Sequence, residues 1–422
     1  MNKLFSLFSQ YKGLRKEVYV LFFGRIVTNL GSMVYPMLTM ILSRKLGLDA
    51  ASISVLMVAA MALMMPANLL GGVLADRFNK KNVIVYCDLV SVACYVACGC
   101  IPLGYVTVGL MFLGALFQTM EGPSYNALLA DLTATKDRQR AYSLMYLGGN
   151  LGLVLSPTLA GLLFENLLWL SFLISGLSIG LSTLLIWLRI RDVTPEPDES
   201  EEAVYQQGRS GESLWRILKS CRVVLVFLVI CALQESAYAQ YNFLMPLDMG
   251  RVHGDSGALI FGTVSSLNCI VVVLFTPLVT RVFRRLTELQ KMLCGVLLLA
   301  AGYAVFLNLL GRVPAYYAAM LLFTWGEIFL TITNGPYMTS RIPASHRGRV
   351  QSVMGVAAGV ISAVCDLAVG HLYEGASPAA AWTLVLCLLA AAVLGCLILM
   401  PIDRKTYPKL YENGKGKREN GK

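Results

Sequence analysis

Charge is what this chain has least of. Only 14% of its 422 residues are Asp, Glu, Lys or Arg, against 56% hydrophobic, and the mean hydropathy is +0.64. A soluble fold of this length carries about a quarter charged residues, so that class is excluded. Histidine is scarcer: His253, His346 and His371 are all there are. They sit near the ends of apolar runs, which leaves no metal-ligand set and no nucleophile with its base. No Gly-x-x-x-x-Gly-Lys-Ser/Thr loop exists to hold a nucleoside triphosphate, and no Asn-x-Ser/Thr acceptor for a glycan, in keeping with a bacterial chain. These absences argue against an enzyme and against an ATP-driven pump, and no cofactor is expected.

What the chain does have is apolar sequence in runs long enough to cross a bilayer, which takes about 20 residues. Such runs lie at 17–43, 50–76, 82–101, 105–130, 140–164 and 167–190, and again at 221–248, 256–281, 288–311, 314–340, 347–373 and 377–401. The expected fold class is therefore an all-α integral membrane protein with twelve transmembrane helices. Between the two sets lies 192–220, acidic and proline-bearing, too polar to insert and too rich in breakers to fold alone. The division expected is a six-helix bundle at 1–191, a linker at 192–220, a second bundle at 221–403 and a basic tail at 404–422. Most of the eleven cysteines fall inside apolar runs, where a small polarizable side chain packs well. The N-terminal segment is mixed and basic, and the apolar run after it is too long for a cleavable signal.

Sidedness follows from the cations, because cytoplasmic loops retain Lys and Arg. Thirty of the 35 basic residues lie in the tails and the even-numbered loops; the odd-numbered loops hold Arg44, Lys45, Arg251 and Arg312, and Arg25 is inside a span. Both termini are expected in the cytoplasm of a multi-pass inner or plasma membrane protein. Topology accounts for the net charge of +10, so the expected surroundings are lipid and not nucleic acid.

Two segments repeat. Gly72-x-Leu74-x-Asp76-Arg77-x-x-Lys80-Lys81 matches Thr276-x-Leu278-x-Thr280-Arg281-x-x-Arg284-Arg285, and Arg138-Gln-Arg140 matches Arg347-Gly-Arg349, at offsets of about half the chain. Parallel repeats of this kind build carriers with a site at mid-membrane. The first segment resembles the loop motif of the major facilitator superfamily, and the segment around Arg349 its counterpart before the eleventh span. Gly152-Leu-Val-Leu-Ser156-Pro157-Thr-Leu-Ala160-Gly161 resembles the Gly-Pro motif of that superfamily's drug and proton antiporters, with Ser156 and Ala160 in place of glycines. The resemblance covers essentially the whole chain. It implies two pseudo-symmetric six-helix bundles, and a gate in which the N-terminus of the eleventh span holds Asp76 while Arg77 pairs with Asp131. It also implies that the fifth span limits proton leak. Physically, Gly72 at a helix end favours close helix approach, and the small residues of the fifth span suit a tightly packed, kinked helix.

Six charges within spans are worth naming as functional candidates, since a charge at mid-bilayer costs about 2.5–3.5 kcal/mol on insertion scales: Arg25, Asp88, Glu121, Glu235, Glu327 and Asp366. Polar residues follow several of them at helical spacing, including Asn29, Gln118, Tyr125, Tyr238, Asn242 and Asn334. Wet faces on the first, fourth, seventh, tenth and eleventh spans suggest a cavity, with Tyr35, Tyr146, Asn150 and Trp325 as further cargo contacts. Burial pushes a carboxyl towards protonation, which makes the mid-span glutamates candidate proton carriers, and Arg25 is expected to pair with Glu121 or Asp88. Many drug antiporters carry an arginine where Gln118 stands, a departure that puts weight on Glu121 and Arg25. Carboxylates amid aromatics favour an amphipathic, cationic or zwitterionic cargo. The reading favoured is a monomeric carrier exporting a drug-like or antibiotic compound in exchange for protons. A proton symporter importing a metabolite, and a receptor that does not transport, stay open beside it.

Overall fold

The computed structural model describes residues 11–133, 135–190, 222–283, 285–341, 347–408 and 410–411, with backbone alone at 76, 130, 135–139, 222, 281, 335, 339 and 347–357. The 192–220 linker and the end of the basic tail lie outside the described residues, as do the side chains of Asp76, Arg281 and Arg349.

Every regular element among the described residues is helical. Lipid offers no partner for backbone N–H and C=O groups, and a helix satisfies them within its own segment. The elements before the linker are α1 (Lys16–Leu30), α2 (Val34–Met40), α3 (Ala50–Arg77), α4 (Lys80–Cys100), α5 (Tyr105–Asp131), α6 (Thr135–Leu153), α7 (Ser156–Leu163) and α8 (Leu168–Arg189). After it come α9 (Arg222–Ala239), α10 (Leu244–His253), α11 (Gly257–Val282), α12 (Glu288–Asn308), α13 (Val313–Arg341), α14 (Arg347–Gly375) and α15 (Pro378–Thr406). Side-chain caps set several of the starts. Asn79 accepts the Asn82 N–H ahead of α4, Ser377 accepts the Ala380 N–H ahead of α15, and Thr287 with Gln290 forms a capping box on α12.

Three expected spans are broken. The first divides into α1 and α2, ending in a π-helical turn over Ile41–Lys45; the fifth divides into α6 and α7; the seventh divides into α9 and α10. Each second piece has a proline in its first turn, namely Pro36, Pro157 and Pro246. Proline is tolerated at the start of a helix but removes a hydrogen bond inside one. Nine stretches among the described residues are long and apolar enough to cross a bilayer, fewer than the twelve expected, and one of them, Val223–Thr280, has 58 residues, enough for two crossings. The helices at the expected fourth and eleventh positions, α5 and α14, are 27 and 29 residues long but are not among the nine.

The chain forms two compact units. One comprises Met1–Leu48, Leu56–Ser200 and Pro246–Val273; the other comprises Asp49–Val55, Glu201–Met245 and Leu274–Lys422. In the first, Val18 and Leu21 of α1, Ile84 of α4, Leu128 and Leu129 of α5, Leu144 of α6 and Ile186 of α8 share one buried cluster. In the second, α12 and α13 approach so closely that a Cβ on Gly326 would sit 2.7 Å from the Gly295 carbonyl oxygen. Small residues at helix contacts are how membrane helices gain packing without a hydrophobic driving force. Outward, Leu69, Leu177 and Ile398 are each more than 60% exposed, an apolar surface suited to lipid.

Candidate functional site

In the first unit the polar groups converge on Asp88. This residue of α4 is buried, and the Thr183 hydroxyl of α8 donates to its Oδ2 at 2.5 Å. The half-buried Glu121 of α5 lies within electrostatic reach of Asp88. Its Oε2 is shielded and has no hydrogen-bond partner among the described residues. Ser91, nearly one turn beyond Asp88, donates to the Gly114 carbonyl at 2.9 Å and fastens α4 to α5. Two neighbouring carboxyl groups in apolar surroundings favour a proton on one of them, since without it two anions face each other.

Arg25 takes a different place from the one expected. Its guanidinium lies 5.8 Å from the centroid of the Tyr125 ring, within electrostatic reach of Glu121, and it forms no ion pair with Asp88 or Glu121 among the described residues. Tyr125 in turn donates to the Leu21 carbonyl at 3.0 Å. The arginine is on the exposed side of α1, so desolvation favours the neutral Thr183 hydroxyl, and not a full cation, as the inner partner of Asp88. Asn29 donates to the Gly149 carbonyl at 3.0 Å and ties α1 to α6; Asn150 donates to the Tyr146 carbonyl of its own helix at 3.0 Å. Tyr35 and Tyr146 are exposed and Gln118 is half-buried.

In the second unit, Glu327 of α13 lies within electrostatic reach of the Tyr238 phenol of α9. The Tyr238 ring stacks on Phe323 with centroids 5.2 Å apart, and Tyr241 lies at 5.2 Å from the same ring. Asp366 of α14 is buried and accepts from Gln240 Nε2 at 2.7 Å, in the turn between α9 and α10. Asn242 is half-buried in that turn. Glu235 stands exposed on α9, Trp325 packs on Phe275 at 5.4 Å, and the half-buried Asn334 has a shielded Oδ1 without a partner. The six charges thus fall as two neighbouring carboxyls, one carboxyl with a neutral amide donor, one glutamate beside a phenol, one separate glutamate and one arginine near an aromatic ring.

The motif residues are placed as follows. Asp131, at the end of α5, pairs with Lys80 at 2.7 Å and not with Arg77, which is exposed. A lysine at the first position of α4 faces the C-terminus of α5 directly, whereas Arg77 belongs to the preceding helix. Gly72 is not the close contact: a Cβ there meets nothing within 4 Å, while one on Gly71 would lie 2.2 Å from the Met120 carbonyl oxygen. Lys81 is half-buried, and Arg140 donates to the Lys12 carbonyl at 2.7 Å. In the fifth span, a Cβ on Gly152 would meet the Ile26 carbonyl oxygen at 2.5 Å, so α6 lies hard against α1. The chain then breaks before Ser156 and Pro157. In α7, Ala160 is buried and a Cβ on Gly161 would meet the Ala258 carbonyl oxygen at 2.6 Å; Thr158 hydrogen bonds Ser266 of α11 at 2.7 Å.

A family model described as Major Facilitator Superfamily matches residues 21–365. The chain belongs to that superfamily. Among curated relatives, the chain is 23% identical over 347 residues to a Na(+), Li(+), K(+)/H(+) antiporter of Planococcus maritimus, covering 75% of this chain and 80% of that one. It is 24% identical over 302 residues to the multidrug resistance protein MdtH of Yersinia pestis, covering 70% and 71%. Of solved structures, it is similar to a POT family transporter in complex with a thioalcohol conjugated peptide, at a TM-score of 0.75, 14% identity and coverage of 94% and 99%. It is also similar to a peptide transporter POT in complex with sulfate, at 0.72, 18%, 93% and 95%. At these identities the structures establish a shared fold alone. The superfamily makes this a multi-pass membrane transporter, a class distinct from enzymes.

Within this facilitator, sequence reasoning overlooked two sets of partners. Thr183 and Gln240, the neutral donors to Asp88 and Asp366, are ordinary polar residues whose meeting depends on tertiary packing. The other set is a fully buried ion pair, Arg341 at the end of α13 with Asp403 in α15: Nε to Oδ1 at 2.8 Å and Nη2 to Oδ2 at 2.6 Å, both side chains about 1% exposed or less. Tyr337 donates to Asp403 at 2.9 Å, Tyr411 donates to it from beyond α15, and the guanidinium lies 3.7 Å over the Tyr337 ring. The signal was an acid at the end of the last span opposite a base at the end of the tenth, masked by reading every terminal cation as an anchor.

Proposed function

We propose that this transporter exports a small amphipathic, cationic or zwitterionic organic compound, drug-like or antibiotic, in exchange for protons, and that the proton is exchanged at Asp88 and Glu121. The observation that carries the reading is the proximity of those two carboxyl groups, Asp88 buried and Glu121 half-buried, within electrostatic reach of each other. Such a pair favours one shared proton, because releasing it leaves two like charges close together in a low dielectric. Release is therefore favoured when positive charge approaches, whether from Arg25 or from a cationic cargo, and such a linkage converts proton binding and cargo binding into alternatives. Glu327, Glu235 and the rings of Tyr238, Tyr241 and Phe323 supply the chemistry to hold such a cargo. Alternating movement of two six-helix halves, with Gly72–Lys81 and Asp131 at the gate, Arg140, Arg281 and Arg349 around it, and Gly152–Gly161 as the sealing span, completes the cycle of a monomeric carrier in a bacterial cell membrane.

Relatives named for antiport and for multidrug resistance favour this direction of transport over import. A second reading, that a monovalent cation is the cargo exchanged for the proton, is favoured by the Planococcus maritimus antiporter, whose name carries that exchange. One experiment tests both. Protein is reconstituted in vesicles, a pH gradient is imposed, and the fluxes of amphipathic amines and of Na⁺, Li⁺ and K⁺ are measured. Gradient-dependent amine flux that Glu121→Gln abolishes, with the variant still inserted, is the expected result. Amine flux indifferent to the gradient removes antiport, cation flux alone selects the second reading, and no flux with any solute returns the chain to a receptor role.

A further inference from the structure

Two carboxylates hold the first turn of α3. Asp49, the residue before the helix, accepts the Ser52 N–H through Oδ1 at 2.9 Å. Glu374, one residue from the end of α14, accepts the Ala50 N–H through Oε1 at 3.0 Å, across 324 residues of sequence. The surrounding contact is tight: Ala50 and Ser54 are buried, and a Cβ on Gly370 would lie 2.5 Å from Ser54 Oγ and 2.9 Å from the Ala50 carbonyl oxygen. His371, beside Gly370, is within electrostatic range of Asp49. All these groups belong to the second unit, which takes in Asp49–Val55 while the remainder of α3 belongs to the first.

The first N–H groups of a helix have no partner inside it, and they form the positive end of its dipole. A carboxylate on the last turn of another span therefore satisfies a donor and a charge together. Glu374 is itself exposed, so water can replace it at Ala50 without leaving a buried charge. A contact that is favourable yet replaceable suits a part that opens and closes.

We infer that Glu374 is a conformational latch, its carboxylate holding the start of α3 against Gly370 of α14 and biasing the molecule towards the state in which these two helix ends stay together. The inference rests on the alternating-access reading above, but its test reads conformation and not transport. Hydrogen–deuterium exchange is followed by mass spectrometry on the full chain in lipid nanodiscs. In Glu374→Ala, the peptide containing residues 49–55 is expected to exchange about two- to fivefold faster, the range that a charge at a helix end supports. The peptide around 370–375 follows it, and those within α4 and α8 stay unchanged. Glu374→Gln, which keeps an oxygen acceptor and loses the charge, is expected to fall between. Gly370→Ala, which wedges the same contact apart without touching the carboxylate, is expected to raise exchange in the same two peptides. Unchanged exchange at 49–55 in Glu374→Ala, or a rise spread evenly over all helices, overturns the latch. Because the readout needs neither cargo nor gradient, a failed vesicle assay together with this localised change would sink the transport reading and leave the latch standing.

Discussion

The proton proposed to be shared by Asp88 and Glu121 would make each carboxyl dependent on the other, and that dependence is measurable. Asp88→Asn and Glu121→Gln each leave one ionisable group where two shared a proton, so each is expected to lower gradient-driven flux at least about tenfold, the effect of some 1.4 kcal/mol. The double variant is expected to be no worse than either single one, since groups acting as a unit are not additive. Glu235→Gln, which removes a proposed cargo contact, is expected to weaken cargo affinity while the remaining flux keeps its dependence on the gradient; loss of that dependence in Glu235→Gln as well would remove the pair from its special position. Outside the membrane, Asp49 offers a second residue-scale test. Its hydrogen bonds to Ser52 hold the carboxyl below the usual carboxylate range. A folded-state value below the unfolded one means that the stabilisation is present above about pH 4 and is lost as the pH falls through the folded value. Asp49→Ala is therefore expected to lower the melting temperature at neutral pH and to match the parent protein in strong acid, as thermal unfolding in detergent will show.

Helices were the most legible part of this chain, because about 20 consecutive apolar residues point to a span whatever surrounds them. Their breaks were not. Pro36, Pro157 and Pro246 begin new helices, yet Pro66, Pro123, Pro277, Pro336 and Pro401 sit inside continuous ones. A proline states that one hydrogen bond is missing and leaves the packing to decide whether the helix continues. The glycines carry the same lesson. Gly72 occupies the motif position, but the close contact belongs to Gly71, and a sequence pattern fixes spacing without fixing which face meets a neighbour. Gly72→Ala is accordingly expected to be neutral or stabilising by up to about 1 kcal/mol, whereas Gly71→Ala is expected to cost about 1–3 kcal/mol through the clash at Met120. The bond between α13 and α15 is a stronger test of element packing. Arg341→Leu strands the Asp403 carboxylate in a dry site and is expected to cost about 3–5 kcal/mol, while Arg341→Leu combined with Asp403→Leu recovers most of it. A double replacement as damaging as the single one in thermal unfolding would assign the ion pair a role beyond charge compensation.

At the scale of the whole molecule, the superfamily was readable from the Gly72–Lys81 and Arg349 segments, while the meeting of Asp88, Glu121 and Thr183 was not, since it joins three helices by contacts that no spacing encodes. What the sequence carries globally is an uneven distribution of cations, from which sidedness is expected. Thirty of 35 cations fall in the tails and alternate loops, and each Lys or Arg carried across a membrane opposes insertion. Among the four on the other side, Arg44 pairs with Asp255 at 3.0 Å and Lys45 with Glu165 at 3.1 Å. Two of the exceptions are thus matched by acids on other odd-numbered loops. Fusions to the C-terminus are expected to report a cytoplasmic end: a fluorescent protein that matures only in the cytoplasm should glow, and alkaline phosphatase, active only outside it, should be silent. The reverse pattern would require an odd number of spans or an inverted chain, and an inverted chain would move the gate motif to the opposite face. Placing five to six lysines in the 254–256 turn, where Asp255 now meets Arg44, adds cations to the sparse side; if cations set the orientation, the phosphatase signal is expected to rise as a fraction of chains insert inverted.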